Sequence, residues 1–392
     1  MAKRKRKLPQ PIATAAAVAL RVAMSAPIVA GSWAAVTFAE GFGRWFGGLS
    51  FNRKRFGRAL EHLRIAFPEW DERKIVECAE SSYGHLFRLA VELVYTPRLF
   101  TEDNWNHHLE IGGVAAGKYS EDARRAIAEA RLPTIRNASP LGHVGPGLEV
   151  LLQGRPCIMI TGHCGNWEVL GYALAVLGFS MHALYRPLDN KALDRWVRGQ
   201  RERAGLMLLD KFGAIHKLPG LMERKSTVAF VADQNAGDRG LFVPYFGRLA
   251  STYKSIGLLA MRYDAPLVVG MGLRVPGPEG GYRSGGIRHH VYVADVIEPR
   301  DWKDQPDPLF YLTARYRWAL QKMVRTAPEQ YLWMHRIWKS RPRHERDGKP
   351  VPRALAEKIR SLPWLSADEA EAIIERSNRE AADKKQMMEV SG

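Results

Sequence analysis

The sequence predicts an α/β domain, with helices packed on a central mixed β-sheet. Three observations carry that reading. The middle of the chain alternates short apolar runs with segments of helical spacing. One apolar run ends in a glycine-flanked histidine just before a helix-capping asparagine. With 46% hydrophobic and 25% charged residues, 392 residues are enough for one large domain with a sizeable buried core.

Helical spacing appears first over 56–67 and 71–95, where Ile75, Ala79, Leu86, Leu89 and Leu93 recur at helical intervals. Cys157–Thr161 is a short buried strand, followed by a helix over 166–177. A strand over 180–185, a helix over 191–204 and a strand over 227–232 continue the alternation. A helix over 252–263 and a strand over 266–275 follow, and His289–Ile297 adds a late strand after the Gly-rich stretch 277–286. From Arg343 onward acids and bases balance, large apolar residues are few, and Ser366 is placed to cap a polar helix to about residue 385. The organisation is a basic leader over 1–10, an apolar segment over 11–48, a domain over 49–342 and a polar, peripheral extension over 343–392.

The amino terminus points to a membrane. Lys3, Arg4, Lys5, Arg6 and Lys7 precede a stretch, 11–39, with no acid and only Arg21 as a base. It exceeds the ~20 residues that cross a bilayer, although it is alanine-rich and interrupted by Pro27. An anchor, spanning or lying in the interface, is the expectation; a cleaved signal and a buried soluble helix are the alternatives. The basic cluster favours the cytoplasmic side and anionic headgroups, at ~1 kcal/mol per base. A net charge of +17, from 58 Lys and Arg against 41 Asp and Glu, attracts polyanions without choosing among them. Cys78, Cys157 and Cys164 form no CxxC pair and no zinc spacing, which suits a reducing compartment and implies no structural metal.

The chemistry concentrates in Ile160-Thr161-Gly162-His163-Cys164-Gly165-Asn166-Trp167-Glu168. His163 stands on the turn before a helix and Glu168 within its first turns, so the chain can fold back and bring them together. A carboxylate on one imidazole nitrogen fixes the tautomer and leaves the other nitrogen free as a base. His-x4-acid alone is a weak pattern, and its placement between a strand and a capped helix strengthens it.

Further segments occur in order. Tyr185-Arg186-Pro187-Leu188-Asp189-Asn190 comes next, then Asp233-Gln234-Asn235-Ala236-Gly237, then Gly240-Leu241-Phe242-Val243-Pro244-Tyr245-Phe246-Gly247. The series closes with Trp333-Met334-His335-Arg336-Ile337-Trp338-Lys339-Ser340-Arg341-Pro342. As a set they closely resemble the lipid A biosynthesis lauroyl/myristoyl acyltransferases, within the larger glycerolipid acyltransferase superfamily, over roughly residues 50–342. The resemblance implies that His163 is the general base and Glu168 its partner. It places Arg186 at substrate phosphate or at the thioester oxyanion, and Asp233 and Gln234 along the same sheet edge. Arg239 and Lys254 are weaker candidates for headgroup phosphate. The bases His335, Arg336, Lys339 and Arg341, interleaved with Trp333 and Trp338, suit an interfacial or phosphosugar contact or an ordinary solvated face.

The resemblance further implies an acyl carrier protein thioester or acyl-CoA as donor, with no other cofactor and no metal. The acceptor would be a hydroxyl of a phosphorylated glycolipid, lipid A or its precursor first among them, at the cytoplasmic face of the inner membrane. Acylation of another glycolipid or a lysophospholipid, and hydrolysis of the same thioester or ester, are the alternatives; a nonenzymatic basic protein binding membrane or nucleic acid is the reading from a different class. Gly112 to Lys118 imitates a phosphate loop until Tyr119 replaces the Ser or Thr that would hold magnesium. Cys164 adjoins His163, but adjacent side chains point apart, which argues against a cysteine nucleophile. No G-x-S-x-G elbow or H-E-x-x-H occurs, and no zinc finger or aromatic RNA-binding signature supports a nonenzymatic nucleic-acid binder.

Overall fold

A computed structural model describes residues 31–101, 108–111, 153–274 and 287–391, apart from 177, 180 and 204, with isolated positions at 14–15, 18–19, 22, 147, 150 and 151. The phosphate-loop decoy, the Gly-rich stretch 277–286 and most of the apolar segment before residue 31 lie outside the described residues.

Among the described residues, seven strands form one mixed sheet in the order β1-β9-β8-β2-β5-β3-β4. They are β1 (Leu109–Ile111), β2 (Cys157–Thr161), β3 (Met181–Tyr185), β4 (Met207–Asp210), β5 (Thr227–Val231), β8 (Leu267–Arg274) and β9 (His289–Ile297). β8, β2, β5, β3 and β4 run parallel; β9 is antiparallel to β8, and β1 is parallel to β9. Every residue of β2 is buried, as a strand covered on both faces requires. Its side chains divide by the two-residue period. Ile158 and Ile160 join one core with Leu267, Val269, Tyr316 and Trp333; Cys157 and Met159 join the other with Val268, Leu170 and Ala173.

Helices cover both faces. α1 (Ser32–Gly47), α2 (Arg53–Ala66) and α3 (Glu72–Leu99) precede the sheet. α4 (Trp167–Val176), α5 (Lys191–Glu202), α6 (Ala214–Glu223) and α7 (Lys254–Tyr263) connect its strands. α8 (Pro308–Thr326), α9 (Arg353–Arg360) and α10 (Ala367–Ser391) follow it. Caps set several starts: Asp71 accepts from the Lys74 N–H at 2.7 Å, and Asn190 accepts from Ala192 and Leu193. Ser366 and Glu369 exchange the reciprocal bonds of a capping box at the head of α10.

α1 crosses α3 closely because Gly43 lies against Tyr83 and Gly84; a Cβ on Gly43 would fall 2.6 Å from the Tyr83 carbonyl oxygen. Among the described residues no helix is long and apolar enough to cross a membrane. The tail packs a third apolar cluster: Ile359, Leu362, Ile373 and Ile374 meet Phe310 and Ala314 of α8. The same cluster holds Val243 and Leu249 of the hairpin β6–β7 (Leu241–Tyr245 and Arg248–Thr252). Sequence periodicity had not marked this hairpin, β4 or α8.

Candidate active site

The sheet's ladder builds the site. β2 and β5 are adjacent and parallel, with Thr161 opposite Val231, and the Ala232 N–H donates to the Thr161 carbonyl at 2.8 Å. His163 and Asp233 each lie two residues beyond those partners, so the chain delivers them at equal depth past the carboxyl ends of two neighbouring strands. That edge is where open α/β sheets bind ligands. His163 Nδ1 lies 2.7 Å from Asp233 Oδ1.

Asp233 is 1% exposed. Burial alone would raise its pKa, but the charge and hydrogen bond of His163, with the field of His335, hold the carboxyl well below the usual range. An ionised Asp233 places the imidazole proton on Nδ1, which leaves the Nε2 lone pair available. Gln234 sets its side-chain nitrogen 3.4 Å from that Nε2. From behind, the buried Arg317 donates to the Asp233 carbonyl at 2.6 Å while its guanidinium stacks 3.8 Å over the Tyr245 ring.

Glu168, expected as the partner of His163, is arranged otherwise. Its buried carboxylate takes a two-pronged grip from Arg201 of α5, with Nε to Oε2 at 2.7 Å and Nη2 to Oε1. The Trp167 indole N–H also donates to it at 3.1 Å. The Trp167 ring stands edge-on to His163, with centroids 4.8 Å apart. Glu168 therefore reaches His163 through Trp167, because the turn between them spends its length on a sharp bend. Gly165 makes that bend at φ +59°, where a Cβ would meet the Gly272 carbonyl oxygen at 2.5 Å.

The other expected residues fall into two groups. Arg186 at the end of β3, Arg239 and Lys254 are exposed, and their side chains bond to no described residue. Within the closing motif, Trp333 and Trp338 are core residues rather than an interfacial pair. Arg341 is committed to the Leu249 carbonyl, Glu345 and Glu380, while Arg336 and Lys339 are exposed. His335 packs against His163 at 4.7 Å between centroids, and burial lowers its pKa to about 4, which keeps it neutral near pH 7. Cys164 is buried and its thiol pushed well up by burial, which leaves no thiolate to attack with.

Sequence reasoning missed Glu92 and Arg317. Both interrupt the apolar stripe of a helix: Glu92 sits between Leu89 and Leu93, and Arg317 between Ala314 and Leu320. A charge on a stripe that must be buried is the signal that would have found them.

A carboxylate-oriented histidine at the carboxyl edge of a mixed α/β sheet is an arrangement suited to drawing a proton from a hydroxyl or water. The profile of the family described as bacterial lipid A biosynthesis acyltransferase matches residues 1–340, and the chain belongs to that family. It is 26% identical over 195 residues to the lipid A biosynthesis palmitoleoyltransferase of Escherichia coli (strain K12), 49% of this chain and 58% of that protein. To the lipid A biosynthesis lauroyltransferase of the same organism it is 28% identical over 161 residues, 41% and 48% of the two chains. A lipid A biosynthesis acyltransferase of Shigella flexneri matches at 26% over 195 residues, with 49% and 58% covered. The chain spans about half the length of the curated relatives it matches.

Proposed function

We propose that the protein transfers a fatty acyl group from a thioester, on acyl carrier protein or coenzyme A, to a hydroxyl of lipid A or a precursor. The observation that carries this reading is the 2.7 Å bond from His163 Nδ1 to the buried Asp233, which turns Nε2 into the acceptor nitrogen. His163 Nε2 takes the hydroxyl proton as the oxygen attacks the thioester carbonyl. The tetrahedral centre collapses, the C–S bond breaks, and the leaving thiolate recovers the proton from the imidazolium. Asp233 stays ionised throughout and holds the ring's orientation and charge. Arg186 and Arg239 supply cations for the phosphates of the acceptor or donor.

A membrane location accords with α1. Trp33, Phe38, Phe42, Trp45 and Phe51 are exposed, and Arg53, Lys54 and Arg55 stand exposed beside them. Aromatic side chains with adjacent bases suit the headgroup region of an anionic leaflet, on the cytoplasmic side if the leader's charge decides.

Incubating the purified protein with an acyl thioester, with and without a lipid A precursor, tests the function. Acylated lipid is expected from the wild type, and His163→Ala should be slower by ~100-fold or more with the fold intact. Free fatty acid without acylated lipid would make the enzyme a hydrolase. Near-normal transfer by folded His163→Ala would overturn the mechanism.

A further inference from the structure

Beneath the histidine turn lies a second buried carboxylate whose bonds are fully used. Glu92 of α3 is 0% exposed. Its Oε1 accepts from Arg88 Nε at 2.9 Å and Arg274 Nε at 2.7 Å; its Oε2 accepts from Arg274 Nη2 at 2.6 Å and Asn166 Nδ2 at 2.8 Å. Four donors fill the roughly four lone-pair sites of an ionised carboxylate. The charges also balance, since Arg88 reaches on to Glu40 of α1 at 3.1 Å. The neighbouring histidines add no charge: burial keeps His85 and His289 neutral.

The donor from Asn166 gives this cluster its place in the chemistry. Asn166 lies three residues after His163 and uses both ends of its amide. Oδ1 caps α4 by accepting from the Val169 N–H at 2.9 Å, and Nδ2 goes to Glu92. Its own backbone N–H donates to the Gly272 carbonyl at 2.6 Å. Arg274, two residues further along β8, is bound on both sides by the Gln330 side chain, at 3.0 Å to its N–H and 3.0 Å to its carbonyl. The Gln330 carbonyl in turn accepts from the Gly165 N–H at 2.9 Å, and the Leu332 N–H donates to the His163 carbonyl at 3.1 Å. Glu92 thus ties together the two strands of chain, the end of β8 and the 163–166 turn, that fix where the His163 backbone stands.

We infer that Glu92 is a positioning residue for His163, acting through Asn166 and Arg274 to hold the histidine turn in register with Asp233. The rate part of its test rests on the acyl-transfer reading above; the spectroscopic part does not. Glu92→Gln leaves two guanidinium groups around a neutral amide and can fail to fold, so Asn166→Ser is the sharper variant. Serine keeps an oxygen to cap α4 but removes the donor to Glu92.

Two measurements on the full chain decide the matter. In protein labelled with ¹⁵N-histidine, the His163 Nδ1 proton, sheltered by Asp233, should give a protected signal in the wild type, lost or in faster exchange in Asn166→Ser. In the acyl-transfer assay, kcat should fall on the order of 10- to 100-fold while KM stays within about twofold. A purely structural role would lower the melting temperature and leave both the signal and kcat of the folded fraction as they were; that outcome overturns the inference. Should the wild type transfer no acyl group, the function proposed above fails, and the histidine signal alone still decides whether Glu92 positions His163.

Discussion

Asp233 and Glu92 are both carboxylates withdrawn from water, and they are satisfied in opposite ways. Glu92 meets donors on both oxygens and lies among balanced charges. Asp233 has His163 on Oδ1, while Oδ2 meets none of the described donors. A saturated buried acid resists any movement of its neighbours, because each displacement leaves a charge unpaired. An acid that depends on one imidazole concentrates its field on that ring. The first arrangement gives rigidity and the second fixes the ring's tautomer, and the histidine turn lies between them.

The largest effects should separate the two acids. Asp233→Asn should cost a factor on the order of 10² or more in kcat, since an amide can donate at Nδ1 and fix the wrong tautomer. Its stability in urea should fall less than that of a Glu92 variant, because the amide is nearly isosteric and gives up one charged hydrogen bond rather than four. Glu92→Ala should add to its loss of turnover a larger loss of unfolding stability, ~3–5 kcal/mol, as Arg88 and Arg274 lose their shared partner. Urea melts that showed Asp233→Asn crippled in stability and Glu92→Ala untouched would break the comparison.

Acid should produce the next effect, and in a set order. Burial lowers the pKa of His62 and of His335 from 6.5 to about 4, and lowers His85 and His289 in the same direction. Between those values the unfolded chain binds more protons than the folded one, so stability is fully present above pH 6.5 and lost as the pH falls toward 4. Asp233 and Glu92, both held below the ordinary carboxylate range, add a loss that begins only beneath their unfolded values, near ~4. Melting temperatures should therefore decline before the acids titrate, and His62→Gln should flatten part of that decline. A melting temperature constant from pH 7 to 4.5 would contradict the assignment of these histidines as neutral in the fold.

The smallest effect belongs to the exposed rim. Arg186→Lys should raise KM by ~3- to 10-fold with stability unchanged, since lysine keeps the charge but loses the planar fork. A fall in turnover at constant KM would place Arg186 at the oxyanion instead, and wild-type kinetics would remove it from the site.

Much of this was legible in the sequence, for a local reason. β2, β5, β8 and β9 announce themselves as apolar runs, and His289–Ile297 was bounded to the residue. The start of α10 follows from Ser366, whose cap to the Glu369 N–H needs only three residues of chain. The hairpin was hidden because Leu241–Tyr245 carries Pro244 and a motif-like string that does not alternate cleanly. His163, Asp233 and Gln234 were all named beforehand, yet the partnership was assigned to Glu168. Sequence proximity favoured the acid five residues away, whereas the sheet brings the one seventy residues away to 2.7 Å. Glu92 escaped because nothing local distinguishes a buried acid from a solvated one; only the Leu89–Leu93 stripe around it does.

The alignment of Thr161 with Val231 has a consequence for how the chain can change length. His163 and Asp233 are brought level first by counting residues along two neighbouring strands. Adding or removing one residue between Cys157 and His163, or between Thr227 and Asp233, would turn a side chain to the opposite face of the sheet and separate the pair. An insertion in the exposed stretch around Asp238 and Arg239 faces no such arithmetic. Substitution can tune this site gradually, but gaps within those two strands are all-or-nothing events.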